Sequence, residues 1–154
     1  MTTDEVYWSW DDGYAPFPTI FATWNHPVYD IGKPPNPCRK YHVSSEVACA
    51  GAVARVALPI LREMKLYHKI VKSRSQLTTL QAGDQAGKFI TIYATVDQSE
   101  GDVVKRLGPA LAAVPNLRPS RSPPRYRQLK SMFMEQPLDD RMFIYGGYVT
   151  DPNA

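Results

Sequence analysis

The stretch Lys88-Phe-Ile-Thr-Ile-Tyr-Ala-Thr-Val96 decides the fold class. Phe89, Thr91, Tyr93 and Thr95 alternate with Ile90, Ile92 and Ala94, and β-branched and aromatic residues at period two predict a strand. Upstream, Gly83-Asp-Gln-Ala-Gly87 reads as a loop and Ser75–Gln81 as a helical turn. Leu66–Lys72 reads as another strand. Before it, Val47, Gly51, Ala54, Leu58 and Leu61 form one stripe at helical spacing, so a helix is expected from a Ser44 or Ser45 cap to about Met64. Pro59 should kink that helix or mark its end. Cys38–Val43 is a short strand with Tyr41 and Val43 on one face and Lys40 and His42 on the other. Downstream, Ser99 with Asp102 resembles a capping box opening a helix toward Ala113. Pro115–Pro124 is a basic loop, Arg125–Met134 is predicted helical, and Met142–Val149 closes as a strand with Gly146-Gly147 inside it. The order β-α-β-β-α-(α)-β predicts an α+β fold: a small mixed β-sheet with packed helices.

At 154 residues the chain is one domain of ordinary size, able to bury a core without a staple. Apolar residues at 44% and charged residues at 21% describe a globular chain rather than a disordered one. No apolar run reaches membrane-spanning length and the N-terminus carries no signal pattern, so a cytoplasmic location and no membrane partner are expected. Cys38 and Cys49 form neither a metal motif nor a disulfide framework, and no metal is expected. Of 14 prolines, twelve fall in residues 16–37 and 109–137, marking irregular segments. Residues 1–36 are therefore read as an aromatic- and proline-rich N-terminal segment whose rings (Tyr7, Trp8, Trp10, Tyr14 and others) pack over a core domain spanning 37–150.

Charge is uneven. Residues 1–30 hold five acids and no Lys or Arg; residues 31–96 hold ten bases against three acids; residues 105–130 hold seven bases and no acid. A basic body suggests an anionic partner and equally fits a solvated basic surface. The arginines of the 118–127 loop, with Tyr126 among them, could track a nucleic-acid backbone, but no RNP strand or GXXG loop accompanies them, so a nucleic-acid partner is set aside. Lys40 and His42 share a strand face, a fixed charge beside a group that titrates near neutrality. By themselves they read as a solvent-facing pair. His68 stands in the opposite side-chain phase from Lys69.

Arg39-Lys-Tyr-His-Val-Ser-Ser45, Val56-Ala-Leu-Pro59, His68-Lys-Ile-Val-Lys-Ser73, Gly87-Lys-Phe-Ile-Thr-Ile-Tyr93 and Phe143-Ile-Tyr-Gly146 occur in this order. Together they resemble the N-terminal lyase domain of class III and class IV lanthipeptide synthetases, which is related to the phosphothreonine lyases of bacterial pathogens. The resemblance covers roughly residues 37–149 and implies a phosphothreonine-lyase-like fold. It also implies an activity: elimination of phosphate from phosphoserine or phosphothreonine of a ribosomal precursor peptide, leaving a dehydroamino acid.

Carried over by position, the resemblance implies Lys40 as the substrate-activating lysine, His42 as general acid and Lys69 as general base. The last assignment follows from the interval between Pro59 and Lys69. Lys72 stands where the family usually has an arginine. The family's arginine before the closing Tyr-Gly is Ile144 here, and residues 75–87 contain no basic residue. Phosphate holding therefore falls to Lys72, Arg74, Lys88 and Arg141. Elimination needs a base for the α-proton, an acid for the leaving oxygen and positive charge for the phosphate, and the resemblance implies no cofactor. The chain holds no kinase, so a separate kinase, with a cyclase of the same pathway, joins the phosphorylated precursor peptide as an expected partner. The alternative reading is a degenerate, non-catalytic relative that binds the precursor (leader) peptide or partner enzymes.

Overall fold

The computed structural model describes residues 4–83, 87–95, 97–98, 100–120, 128–129, 133–134 and 144–150. Its strands are β1 (Tyr14–Pro16), β2 (Phe21–Trp24), β3 (Cys38–Val43), β4 (Tyr67–Val71), β5 (Ile90–Thr95), β6 (Gln128–Leu129), β7 (Phe133–Met134) and β8 (Ile144–Thr150). Its helices are α1 (Ala50–Glu63), α2 (Arg74–Gln81) and α3 (Glu100–Ala112). Six strands form one sheet in the order β1-β2-β4-β5-β3-β8, and β6 and β7 make a separate ribbon. The α+β class holds. The sheet is antiparallel at each of its pairings rather than mixed, because each neighbouring pair is joined without a parallel crossover.

One face of the sheet is the core. Tyr41 and Val43 of β3, Ile70 of β4, and Ile90, Ile92 and Ala94 of β5 pack with Val53, Ala57 and Leu61 of α1 and Val103, Leu107 and Leu111 of α3. Helix α1 runs through Pro59 to Glu63, so the proline does not mark its end. It begins later than the serine cap predicts. A 3-10 turn over Val47–Cys49 precedes it, Cys49 caps it without a side-chain bond, and the Ser45 hydroxyl donates to the Glu46 carbonyl instead. Helix α2 does take a serine cap, Ser73, whose hydroxyl accepts from Gln76 N–H.

The N-terminal segment does more than lay rings on the core: β1 and β2 extend the sheet. Pro16 is tolerated because β1 is an edge strand. A buried chain of hydrogen bonds fastens this edge. His68, fully buried, bonds the Leu66 carbonyl through Nδ1 at 2.7 Å. A carbonyl only accepts, so Nδ1 carries the proton and Nε2 accepts from the Tyr14 hydroxyl at 2.6 Å. Arg62 of α1 donates to the same hydroxyl oxygen at 3.1 Å. Burial pushes the His68 pKa down to about 3, which keeps the ring neutral as this pattern requires.

The expected helix over Arg125–Met134 is replaced, within the described residues, by the β6–β7 ribbon, Gln128 opposite Met134 and Leu129 opposite Phe133. Ser99, Arg141 and Met142 lie outside the described residues. Opposite β3, the register of β8 shifts between Lys40 and Tyr41, leaving Gly147 as the extra residue of a bulge. No helix among the described residues is long and apolar enough to cross a membrane.

Candidate functional site

The second face of the sheet carries the polar phase of four adjacent strands, β2, β4, β5 and β3. Its register makes a row: Thr23 of β2 pairs with Lys69 of β4, Lys69 with Thr91 of β5, and Thr91 with His42 of β3. The neighbouring row is Tyr67, Tyr93 and Lys40. Because side chains one row apart on the same phase project to one side, Lys40, His42 and Lys69 share a face. His68 projects to the core, one position out of phase with Lys69.

The geometry is tight. His42 is buried, and its Nδ1 lies 3.3 Å from Thr91 Oγ1. The Tyr93 ring sits between the two lysines, with Lys40 Nζ 5.2 Å and Lys69 Nζ 5.6 Å from its centroid. Lys69 Nζ also lies 4.3 Å from the centre of the Phe21 ring. Ring faces stabilise a cation, but they also exclude water. Burial, followed by repulsion from Lys40 and then Lys88, lowers the Lys69 pKa from 10.5 to about 8. Lys69 therefore holds a free amine at a far lower pH than an ordinary lysine does. Beside it lies a pocket of about 150 Å³ bounded by residues of the N-terminal segment and by Tyr67 and Tyr93.

The remaining sequence candidates divide. Lys88, just before β5, adds to the repulsion that lowers the Lys69 pKa, after burial and Lys40. Lys72 does not: it follows β4 in the other phase, and its ammonium donates to the Thr19 carbonyl, tying the end of β4 to the β1–β2 turn. Arg74 opens α2, where its backbone N–H donates to the Glu5 carbonyl beside the N-terminal segment, away from the Lys69 row. Arg141 lies outside the described residues. Ile144 pairs with Val43 and is fully buried in the core, while Tyr145 takes the register position opposite His42. An arginine at 144 would therefore meet the apolar core in this chain, not the polar face.

Sequence reasoning assigned no role to Thr91, Tyr93 or Tyr67. The signal was present in the alternation of β5, whose Thr91 and Tyr93 share a phase; what was missing was the register that sets Thr91 between Lys69 and His42 and Tyr93 between Tyr67 and Lys40.

Residues 22–117 match the family model described as RamC, N-terminal domain. The chain belongs to this family. The match runs from β2 to the segment after α3 and so contains Lys40, His42, Lys69, Lys88 and Thr91, whereas β1 and β8 fall outside it. No curated protein matches the chain.

Proposed function

We propose that this member of the RamC N-terminal-domain family is a lyase of lanthipeptide-type biosynthesis that eliminates phosphate from phosphoserine or phosphothreonine in a precursor peptide. The family association supports the biosynthetic setting. The chemistry rests on one observation: a lysine whose pKa is lowered to about 8 lies in one row with a histidine, across a single threonine.

Each group has a task that its surroundings suit. The Lys69 amine, neutral in a substantial fraction near pH 8, takes the α-proton of the phosphorylated residue. The electron pair of that C–H bond forms the α,β double bond, and the β-carbon–oxygen bond breaks toward phosphate. His42, in its imidazolium form, delivers a proton to the leaving oxygen; the dianionic phosphate itself favours that form. Lys40 supplies positive charge beside the developing enolate-like oxygen, and Lys88 adds charge for the phosphate. Thr91 bonds His42 and orients its ring. Atoms balance as phosphopeptide going to dehydropeptide and inorganic phosphate.

The reading is tested by incubating the chain with a phosphoseryl peptide and adding a thiol. A lyase yields inorganic phosphate and a thiol adduct at the former serine. Phosphate released with an intact serine hydroxyl would indicate hydrolysis and overturn the reading. Binding of the phosphopeptide without release of phosphate would favour a non-catalytic precursor-binding protein.

A further inference from the structure

Of the ring faces near Lys69 Nζ, that of Phe21 is the nearer, 4.3 Å to its centre against 5.6 Å for Tyr93. Among the described residues no hydrogen bond or ion pair holds this ammonium. Phe21 owes the contact to register. Thr23 stands directly opposite Lys69, and Phe21, two positions earlier, shares its face and pairs with Val71. A diagonal neighbour on the next strand is within reach of an aromatic ring and a long side chain. The turn before β2 fixes the ring in place. Phe21 N–H donates to the Pro18 carbonyl, and Phe17 N–H donates to the Phe21 carbonyl, each at 2.9 Å. Lys72 holds the same turn from β4: its backbone N–H donates to the Ile20 carbonyl at 2.8 Å and its ammonium to the Thr19 carbonyl. The stretch of chain that carries Lys69 therefore also fastens the ring that covers it.

The ring acts on the amine in two opposing ways. Its face attracts an ammonium, an effect of about half a pH unit at a half-exposed site. Its bulk keeps water away, and burial is the largest cause of the fall in the Lys69 pKa from 10.5 to about 8. Exclusion of water wins, so the ring's net effect is to free the amine. We propose that Phe21 is a positioning residue for the elimination: its ring, set by the β1–β2 turn, shields the Lys69 amine from water, so that the N-terminal hairpin is a working wall of the site and not only an extension of the sheet. The proposal rests on the lyase reading above.

The test follows Lys69 itself, by pH titration of the lysine ε-carbon resonances of the full chain, its signal being the one missing from Lys69→Met. Phe21→Ala and Phe21→Val take the ring away, the second keeping strand propensity, and Phe21→Tyr keeps a ring face. Thermal melting shows which variants have folded. The Lys69 midpoint is expected to rise by about one pH unit in the Ala and Val variants and to stay at the wild-type value in the Tyr variant. The pH of maximal kcat/KM for elimination from a phosphoseryl peptide should rise in the same two variants, a change that a merely structural ring would not produce. An unmoved Lys69 midpoint in a folded variant lacking the ring would overturn the proposal, while elimination by the wild type would leave the lyase reading standing. An equal rise in Phe21→Tyr would overturn it too, since the ring would then not be what matters. If the midpoints move as expected but the wild type releases no phosphate, the lyase reading fails and the role of Phe21 in elimination falls with it.

Discussion

Lys69 carries the account at the scale of one residue. Its ammonium is disfavoured by burial and by two neighbouring lysines, so its proton leaves at about pH 8 in the folded chain and near 10.5 in an ordinary lysine. Two outcomes follow. As a base it works only when neutral, while His42 must carry its proton, so kcat/KM for elimination should pass through a maximum and fall on both sides of it; a profile flat from pH 6 to 9 would assign the proton transfers elsewhere. The second outcome concerns stability. Between about 8 and 10.5 the unfolded chain keeps a proton that the folded chain has released, so folding grows more favourable as pH rises through that window. Below it the full penalty of the buried charge is present. Lys69→Met, apolar and of similar length, removes that penalty, and its Tm at pH 7 should equal or exceed that of the wild type, with the difference shrinking toward pH 10. A clear loss of Tm at pH 7 would mean the ammonium is held by favourable contacts after all.

Single elements show where the chain's pattern is readable and where it is not. The edge formed by β1 and β2 is fixed to α1 by the Arg62–Tyr14–His68 chain of hydrogen bonds. Tyr14→Phe leaves His68 Nε2 without its donor in a buried site, and urea unfolding should report a loss of about 1–3 kcal/mol. In β8, Ile144→Arg puts a charge against Val43 in the core and should destabilise by more than about 3 kcal/mol, with no gain in phosphate affinity. Unchanged stability with tighter phosphate binding would place residue 144 on the polar face. The alternation of β3 and β5 was legible because each has one buried apolar face, and period two survives any context. The strands β1 and β2 were hidden by Pro16 and Pro18 and by their shortness, since three or four residues cannot display a period. Of the helix expected over Arg125–Met134, the described residues pair as two short antiparallel strands instead, Gln128 opposite Met134 and Leu129 opposite Phe133.

For the whole molecule, the antiparallel order β2-β4-β5-β3 is what brings separate residues into one row. Lys40 and His42 lie close in the chain, but Lys69 and Thr91 come from distant segments, and only the register aligns them. The candidates Lys40, His42 and Lys69 were visible in the sequence through short motifs. Their company was not: Lys72 and Arg74 are one turn of chain from Lys69, yet the strand phase and the cap of α2 carry them elsewhere. The central claim is that the sheet face built around Lys69 eliminates phosphate rather than merely holding it. Its most direct test is the intact mass of a phosphoseryl peptide after incubation with the wild type and with Lys69→Met. The account predicts a product lighter by the elements of phosphoric acid with the wild type and unaltered peptide with the variant. An unaltered peptide with the wild type, or equal conversion by both proteins, would contradict it.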